Sequence, residues 1–418
     1  MFLRLNLPRE NDWIEATATE FSTLVISSNV LETFFSTSIK TINNRAKPYI
    51  IDPLTYIYGL ESIDLSPKRW YSKLVSHYGL DLILSPGVTT ITVDHLLMAG
   101  QATNSLRNLV ENVTNYQKRR ILDSSEFDDF TDIEAFQGHD VSPDLFVPRF
   151  LIPPYFYMGY DVEDISDIGQ SQWLRVNIEC ARHAVARKET SEKICAVILI
   201  SKSLLFFSEQ IEKLVNEYST AGVDAFMLWV PDFREYREPE QLLEGYVKLV
   251  STLSKLGKPV FNFYGGMFSL LLSKRGIAGV CHSPCYGESK DPFAEPGMLA
   301  TVRYYDQDMK IKVPYGKLVE FLKLTNRDYC DCQYCASLRG VVGDTTDARG
   351  KRIELAAKHF LMQRSSEILS INADDAQAIV SSFKQTLELC EQNDPTGTYR
   401  DYYKHLKVWN SVLSKALT

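Results

Sequence analysis

The chain has 418 residues, of which 45% are hydrophobic and 23% charged, with a formal net charge of −8. That length suits one large domain with an appendage, and the acidic total argues against a protein that coats DNA nonspecifically. No run approaches the ~20 apolar residues that span a bilayer, and MFLRLNLPREND has no long apolar run before its acidic residues, so neither membrane span nor signal peptide is expected.

In chain order, short apolar runs alternate with helical patterns. The candidate strands are Thr23–Ser27, Tyr49–Asp52, Leu80–Leu84, Phe150–Pro153, Cys195–Ile200, Ala225–Val230, Val260–Phe263 and Gly279–His282. Between the later ones, Ser203–Thr220, Pro239–Leu256 and Met267–Arg275 carry apolar residues near a 3.6 period. Apolar strands alternating with amphipathic helices imply parallel βα units. The expected fold class is therefore α/β: a (β/α)8 TIM-like barrel with a C-terminal zinc-binding subdomain and extra helices. A doubly wound open sheet is the competitor, though no GxGxxG follows a strand. The expected division is residues 1–295 as barrel with a helical insertion at 88–146, 296–370 as the zinc-binding subdomain, and 371–418 as C-terminal helices. Arg303–Val313 reads as a hairpin, Lys351–Glu367, Asp374–Glu391 and Thr398–Leu417 as helices.

Of eight cysteines, three fall in the run Tyr329-Cys-Asp-Cys-Gln-Tyr-Cys335, and His359 follows 24 positions after Cys335. Clustered thiols suggest metal chemistry in a reducing, cytoplasmic setting. Three thiolates and one imidazole are a usual structural zinc set, so Cys330, Cys332, Cys335 and His359 are expected to hold one structural Zn2+ and fasten a helix to the knuckle. The alternatives are unrelated buried thiols, or a catalytic zinc, which four protein ligands would leave without an open position. Cys281 and Cys285 form a looser pair that reads as core or pocket.

A barrel followed by C-x-C-x2-C and a histidine two dozen residues on resembles the tRNA-guanine transglycosylases, whose relatives insert 7-deazaguanines into DNA. Lys258-Pro-Val-Phe-Asn-Phe-Tyr-Gly-Gly266 and Lys274-Arg-Gly-Ile-Ala-Gly-Val-Cys-His282 resemble the family's last two barrel strands. Lys47-Pro-Tyr-Ile-Ile-Asp52 resembles the segment ending in its DSGGFQ motif. The resemblance implies cleavage of an N-glycosidic bond by a carboxylate, exchange of a guanine-type base for a deazapurine, and a flipped target base in DNA or tRNA. It also implies a dimer, homo- or heteromeric.

By that resemblance Asp52 is a catalytic or base-binding candidate, with a turn residue before Pro53 as its plain reading. Where the family nucleophile would stand, this chain has Cys281 or His282, and Pro53-Leu-Thr55 replaces the DSGGFQ glycines. Asp232, at a strand end after Trp229-Val-Pro, is the substitute nucleophile candidate, against a surface aspartate beside Arg234. His282, Tyr155 and Tyr264 are substrate-binding candidates, the rings by stacking, against ordinary core packing. Arg327, Arg339, Arg349, Lys351 and Arg352 could hold phosphates, offset by Asp328, Asp331, Asp344 and Asp347. A noncatalytic nucleic-acid-binding or partner subunit is the second hypothesis, and a nucleoside or base hydrolase the third.

Overall fold

The computed structural model describes residues 1–5, 9–17, 21–45, 47–60, 67–84, 88–97, 101–136, 141–159, 167–284, 288–293, 301–343, 345–372 and 376–417. Seven strands form one sheet: β1 (Phe2–Leu5), β2 (Thr23–Ser27), β3 (Tyr49–Asp52), β4 (Cys195–Leu199), β5 (Ala225–Trp229), β6 (Val260–Asn262) and β7 (Ile277–His282). Their order is β3-β2-β1-β7-β6-β5-β4, and every adjacent pair is parallel. Except for β3 and β4, which form the two edges, each strand lies beside its neighbours in sequence, and the first pairs with the last. All residues of β1 to β6 are buried, as expected of strands covered on both faces by crossover helices.

Residues 149–158 run beside both outer strands. Arg149 N donates to Tyr49 O at 2.7 Å, Leu151 N to Lys193 O at 2.9 Å, Cys195 N to Leu151 O at 2.9 Å and Met158 N to Leu199 O at 3.1 Å. The contacts amount to two isolated parallel bridges, Leu151–Ile194 and Met158–Ile200. Pro153 and Pro154 lie between them and have no N–H to donate, which explains why no continuous ladder forms.

Three strand expectations need correction. Phe150–Pro153 is not a strand and contributes only the isolated bridge at Leu151. Leu80–Leu84 is a 3-10 turn (Leu80–Leu82) after the Arg69–Tyr78 helix, which ends on Gly79 at φ 66°. Leu80 is buried while Leu82 is 79% exposed, so that apolar run does not pass through the core. The sheet instead contains β1, at the very start of the sequence. Phe2 helps form its interior, with its ring centroid 4.6 Å from that of Phe261.

The stretch after residue 88 carries the helices Val93–Leu97, Gln101–Arg119 and Ser125–Phe136. After the sheet come an antiparallel hairpin, β8 (Arg303–Asp306) with β9 (Ile311–Pro314), then helices Tyr315–Leu324, Gln333–Arg339, Thr346–Asn372, Ala376–Asn393 and His405–Leu417. The last helix docks on the sheet layer. Its buried Trp409 packs on Phe268 and donates Nε1–H to Glu235 O at 2.9 Å. Among the described residues no helix is long and apolar enough to cross a membrane.

A candidate metal centre and the cluster at the strand ends

The knuckle precedes and enters the Gln333–Arg339 helix, and His359 lies in the middle of the Thr346–Asn372 helix. The ligand atoms of Cys330, Cys332, Cys335 and His359 all lie within 4.8 Å of one another. His359 Nδ1 is 3.4 Å from Cys332 Sγ and 3.2 Å from Cys335 Sγ, and the two sulfurs are 3.4 Å apart. A tetrahedral zinc with ordinary Zn–S and Zn–N bonds has a sulfur–nitrogen edge of about 3.5 Å, so the donor set fits. This Cys3His cluster could hold a metal ion.

The surroundings orient the ligands. His359 Nε2 faces Tyr305 O at 2.8 Å, which leaves Nδ1 as the donor to a metal. Tyr304 stacks on the imidazole, centroids 4.4 Å apart, and its hydroxyl lies 3.1 Å from Cys335 Sγ. Gln363 Nε2 donates to Cys330 Sγ at 3.2 Å, and Cys332 N donates to it at 3.4 Å. N–H donors at a sulfur favour the thiolate. A metal here would join the knuckle, the β8 edge and the long helix.

A second cluster gathers where the parallel strands end. Asp52, the last residue of β3, is fully buried. Its Oδ2 meets Arg4 Nη1 at 2.9 Å, while its Oδ1 accepts Tyr155 O–H at 2.7 Å and Leu54 N–H at 3.1 Å. Leu54 sits at φ 54°, a left-handed turn that lets its amide fold back onto the carboxylate. Arg4 rises from β1 with its guanidinium carbon 4.3 Å from the Phe263 ring centroid and 4.7 Å from that of Tyr264. Its Nε and Nη2 are buried without a hydrogen-bond partner, as is Tyr264 OH.

Rings close the space above. Trp229 is fully buried, with centroids 4.8 Å from both Tyr56 and Tyr264. The Lys290 ammonium sits among these three rings, 5.9 Å from Tyr56, 5.4 Å from Trp229 and 5.6 Å from Tyr264. Its carbonyl accepts Trp229 Nε1–H and Asp232 N–H, both at 3.1 Å. Burial first, and the nearby Arg4 charge second, push the Lys290 ammonium down to about 8.

The candidate site residues therefore separate. Asp52, Tyr155 and Tyr264 come together. Asp232 contributes its backbone to this cluster, but its side chain is 44% exposed and pairs with Arg234 Nε at 2.9 Å. It occupies the left-handed region at φ 46°. His282 is not at the cluster either. Successive strand residues face opposite ways, so Cys281 feels the Arg4 charge while His282 packs its ring 5.1 Å from Phe360 of the long helix. Burial, then Arg364 and Lys312, hold His282 well below the usual imidazole range, so it is neutral. Cys285 lies outside the described residues.

Three residues escape sequence reasoning. Arg4 and Lys290 are isolated cations in unremarkable contexts, and only the fold brings them to Asp52. Glu235 is fully buried and accepts hydrogen bonds from Gly266 N and Phe268 N at 3.0 Å and from Ser269 Oγ at 2.5 Å. Burial pushes its carboxyl up to about 7. A glutamate whose partners lie some thirty positions downstream leaves no local signature.

No protein-family model matches the sequence, and no curated protein matches it. Among solved structures, an intracellular xylanase from Thermoanaerobacterium saccharolyticum is 9% identical, with a TM-score of 0.39 over 72% of this chain and 90% of that chain. A likeness at that level carries no argument about fold or function.

Proposed function

We propose that the chain is a noncatalytic, zinc-containing nucleic-acid-binding subunit of a transglycosylase-like complex. The observation that carries the reading is the state of Asp52. Its two oxygens are engaged by Arg4, Tyr155 and the Leu54 amide, and beside this cluster the Lys290 ammonium lies 5.4 Å from the Trp229 ring. Asp232, the carboxylate expected to share the work, pairs with Arg234 instead. A nucleophile must present a free lone pair to the reacting carbon, and Arg4, Tyr155 and the Leu54 amide take three of the roughly four lone-pair sites of the Asp52 carboxylate.

The reading includes a closed (β/α)8 barrel, in which residues 149–158 act as the eighth stave between β3 and β4. The hydrogen bonds of Arg149, Leu151, Cys195 and Met158 to both edges support closure. It also includes zinc as the metal of the Cys3His cluster, on the chemistry of the donor set. Bound zinc would supply a fixed cross-link and no reactive water. Three metal-binding thiolates suit a reducing cytoplasm.

One observation favours the catalytic alternative, base exchange with a 7-deazaguanine. Asp291 lies near enough to bias Tyr56 and Tyr157, so a second carboxylate borders the cluster. Its Oδ1 caps Phe293 N at 2.9 Å. The deciding experiment incubates the full chain with guanine-containing DNA and tRNA, with and without a deazaguanine, and looks for a covalent adduct. Binding without an adduct supports the noncatalytic reading. An adduct that disappears in Asp52→Asn replaces it with base exchange.

A further inference from the structure

Away from the strand ends, a cleft of ≈ 380 Å³ lies between the Gln101–Arg119 and Gln172–Arg187 helices, beside Val93–Leu97. Its floor is apolar, with Leu96 and Leu106 buried. Its rim is cationic. Arg107 comes from one helix, and Arg175 and Arg182 from the other. Arg175, Glu179 and Arg182 fall at helical spacing on one stripe, so their side chains share a face. The only carboxylate lining this cleft among the described residues is Glu179, and it is engaged by Arg182 Nη1 at 2.7 Å. Thr220 Oγ1 accepts from Arg182 Nη2 at 2.6 Å, so that guanidinium is fixed from both sides.

Arg107 and Arg175 are the rim cations that Glu179 does not engage. Both are exposed at the cleft, and among the described residues neither has a carboxylate partner. Three guanidiniums thus face one carboxylate in a chain whose net charge is −8.

We propose that this cleft binds a nucleotide, with its phosphate on Arg107 and Arg175 and its less polar part on the Leu96 and Leu106 floor. Guanidinium forks match phosphate oxygens bidentately and stay charged at any working pH. The volume sits near the lower end of the roughly 300–1,000 Å³ usual for small-molecule sites, room for one nucleotide and too little for a two-chain lipid. The nucleotide can be free or one unit of a strand. Only the strand case rests on the nucleic-acid-binding reading given above.

The test measures binding of guanosine monophosphate and of a single-stranded oligonucleotide by the full-length protein. The wild type is compared with Arg107→Gln/Arg175→Gln and with Lys384→Gln as a basic control elsewhere. The double variant is expected to lose at least tenfold affinity for the mononucleotide while the control matches wild type. Loss for the oligonucleotide too, with the slope of log affinity against log salt shallower by about 1.4, places the strand in the cleft. Mononucleotide binding lost in the double variant, with no oligonucleotide binding, keeps the cleft and removes the nucleic-acid reading. Oligonucleotide binding insensitive to the double variant keeps that reading and overturns the cleft, as does no mononucleotide binding by wild type.

Discussion

The Arg4 guanidinium and the Asp52 carboxylate meet at 2.9 Å across β2, the strand between them, with side-chain exposures of 3% and 0%. The pair ties the first strand of the sheet to the third. Around it Tyr155, Tyr56, Tyr264, Trp229 and Lys290 complete a cluster of charges and rings that the polar groups themselves keep in register.

The metal centre makes a prediction of its own. The purified protein should carry one zinc per chain, and Cys335→Ser should lose it. Removal by a chelator should cost several kcal/mol, lowering Tm by on the order of 10 °C. Hydrogen exchange should rise in Tyr304, Tyr305 and the Gln333–Arg339 and Thr346–Asn372 helices, and stay unchanged in β1 to β3. Protein that binds no metal and shows no such local loosening would refute the site.

Lys290 should titrate far from an ordinary lysine, whose midpoint lies near 10.4. With its folded value pushed down to about 8, it sheds its proton in the folded state while the unfolded chain still holds one. Between pH 8 and 10.5 the unfolded state therefore binds more protons, and stability rises with pH across that window. Lys290→Met should flatten that rise. Amine-specific labelling followed by mass spectrometry reads the midpoint directly, and a value near 10.4 would contradict the burial of the ammonium among the rings.

Gly245 tests the packing of the outer helix layer. It lies in the Glu240–Ser254 helix, where a Cβ would fall 1.9 Å from Leu205 O. The obstacle is backbone, which cannot rotate away, so helix propensity is outweighed. Gly245→Ala should destabilise by about 2–4 kcal/mol despite alanine's helix preference of about 1 kcal/mol. Denaturant unfolding measures it, and a neutral or stabilising result would mean the two elements are not so close.

The parts legible in the sequence are those with local signatures. Cys330, Cys332 and Cys335 announce themselves by spacing, and β2, β3, β5 and β6 by apolar β-rich runs bounded by turns. The failures are also physical. Leu80–Leu84 has the composition of a strand, but the preceding Gly79 turns the chain and Leu82 faces solvent. Phe2–Leu5 does not stand out because a charge breaks its apolar run; Arg4 in it is buried because Asp52 and two rings receive it. Pro153 and Pro154 leave residues 149–158 with two isolated bridges where the apolar run Phe150–Pro153 reads as a strand. Lys290 has no pattern at all, because a cation among aromatic rings is made by three separate chain segments.

The role of Asp52 is tested most directly by the unfolding free energy of Asp52→Ala. A structural partner of a buried arginine leaves an uncompensated charge when removed, so the account predicts a loss of about 3–5 kcal/mol with nucleic-acid binding retained by the folded fraction. Catalytic groups are commonly held at a cost to stability, and their removal is neutral or stabilising. An Asp52→Ala protein as stable as wild type, or more so, that had lost a base-exchange activity present in wild type would contradict it.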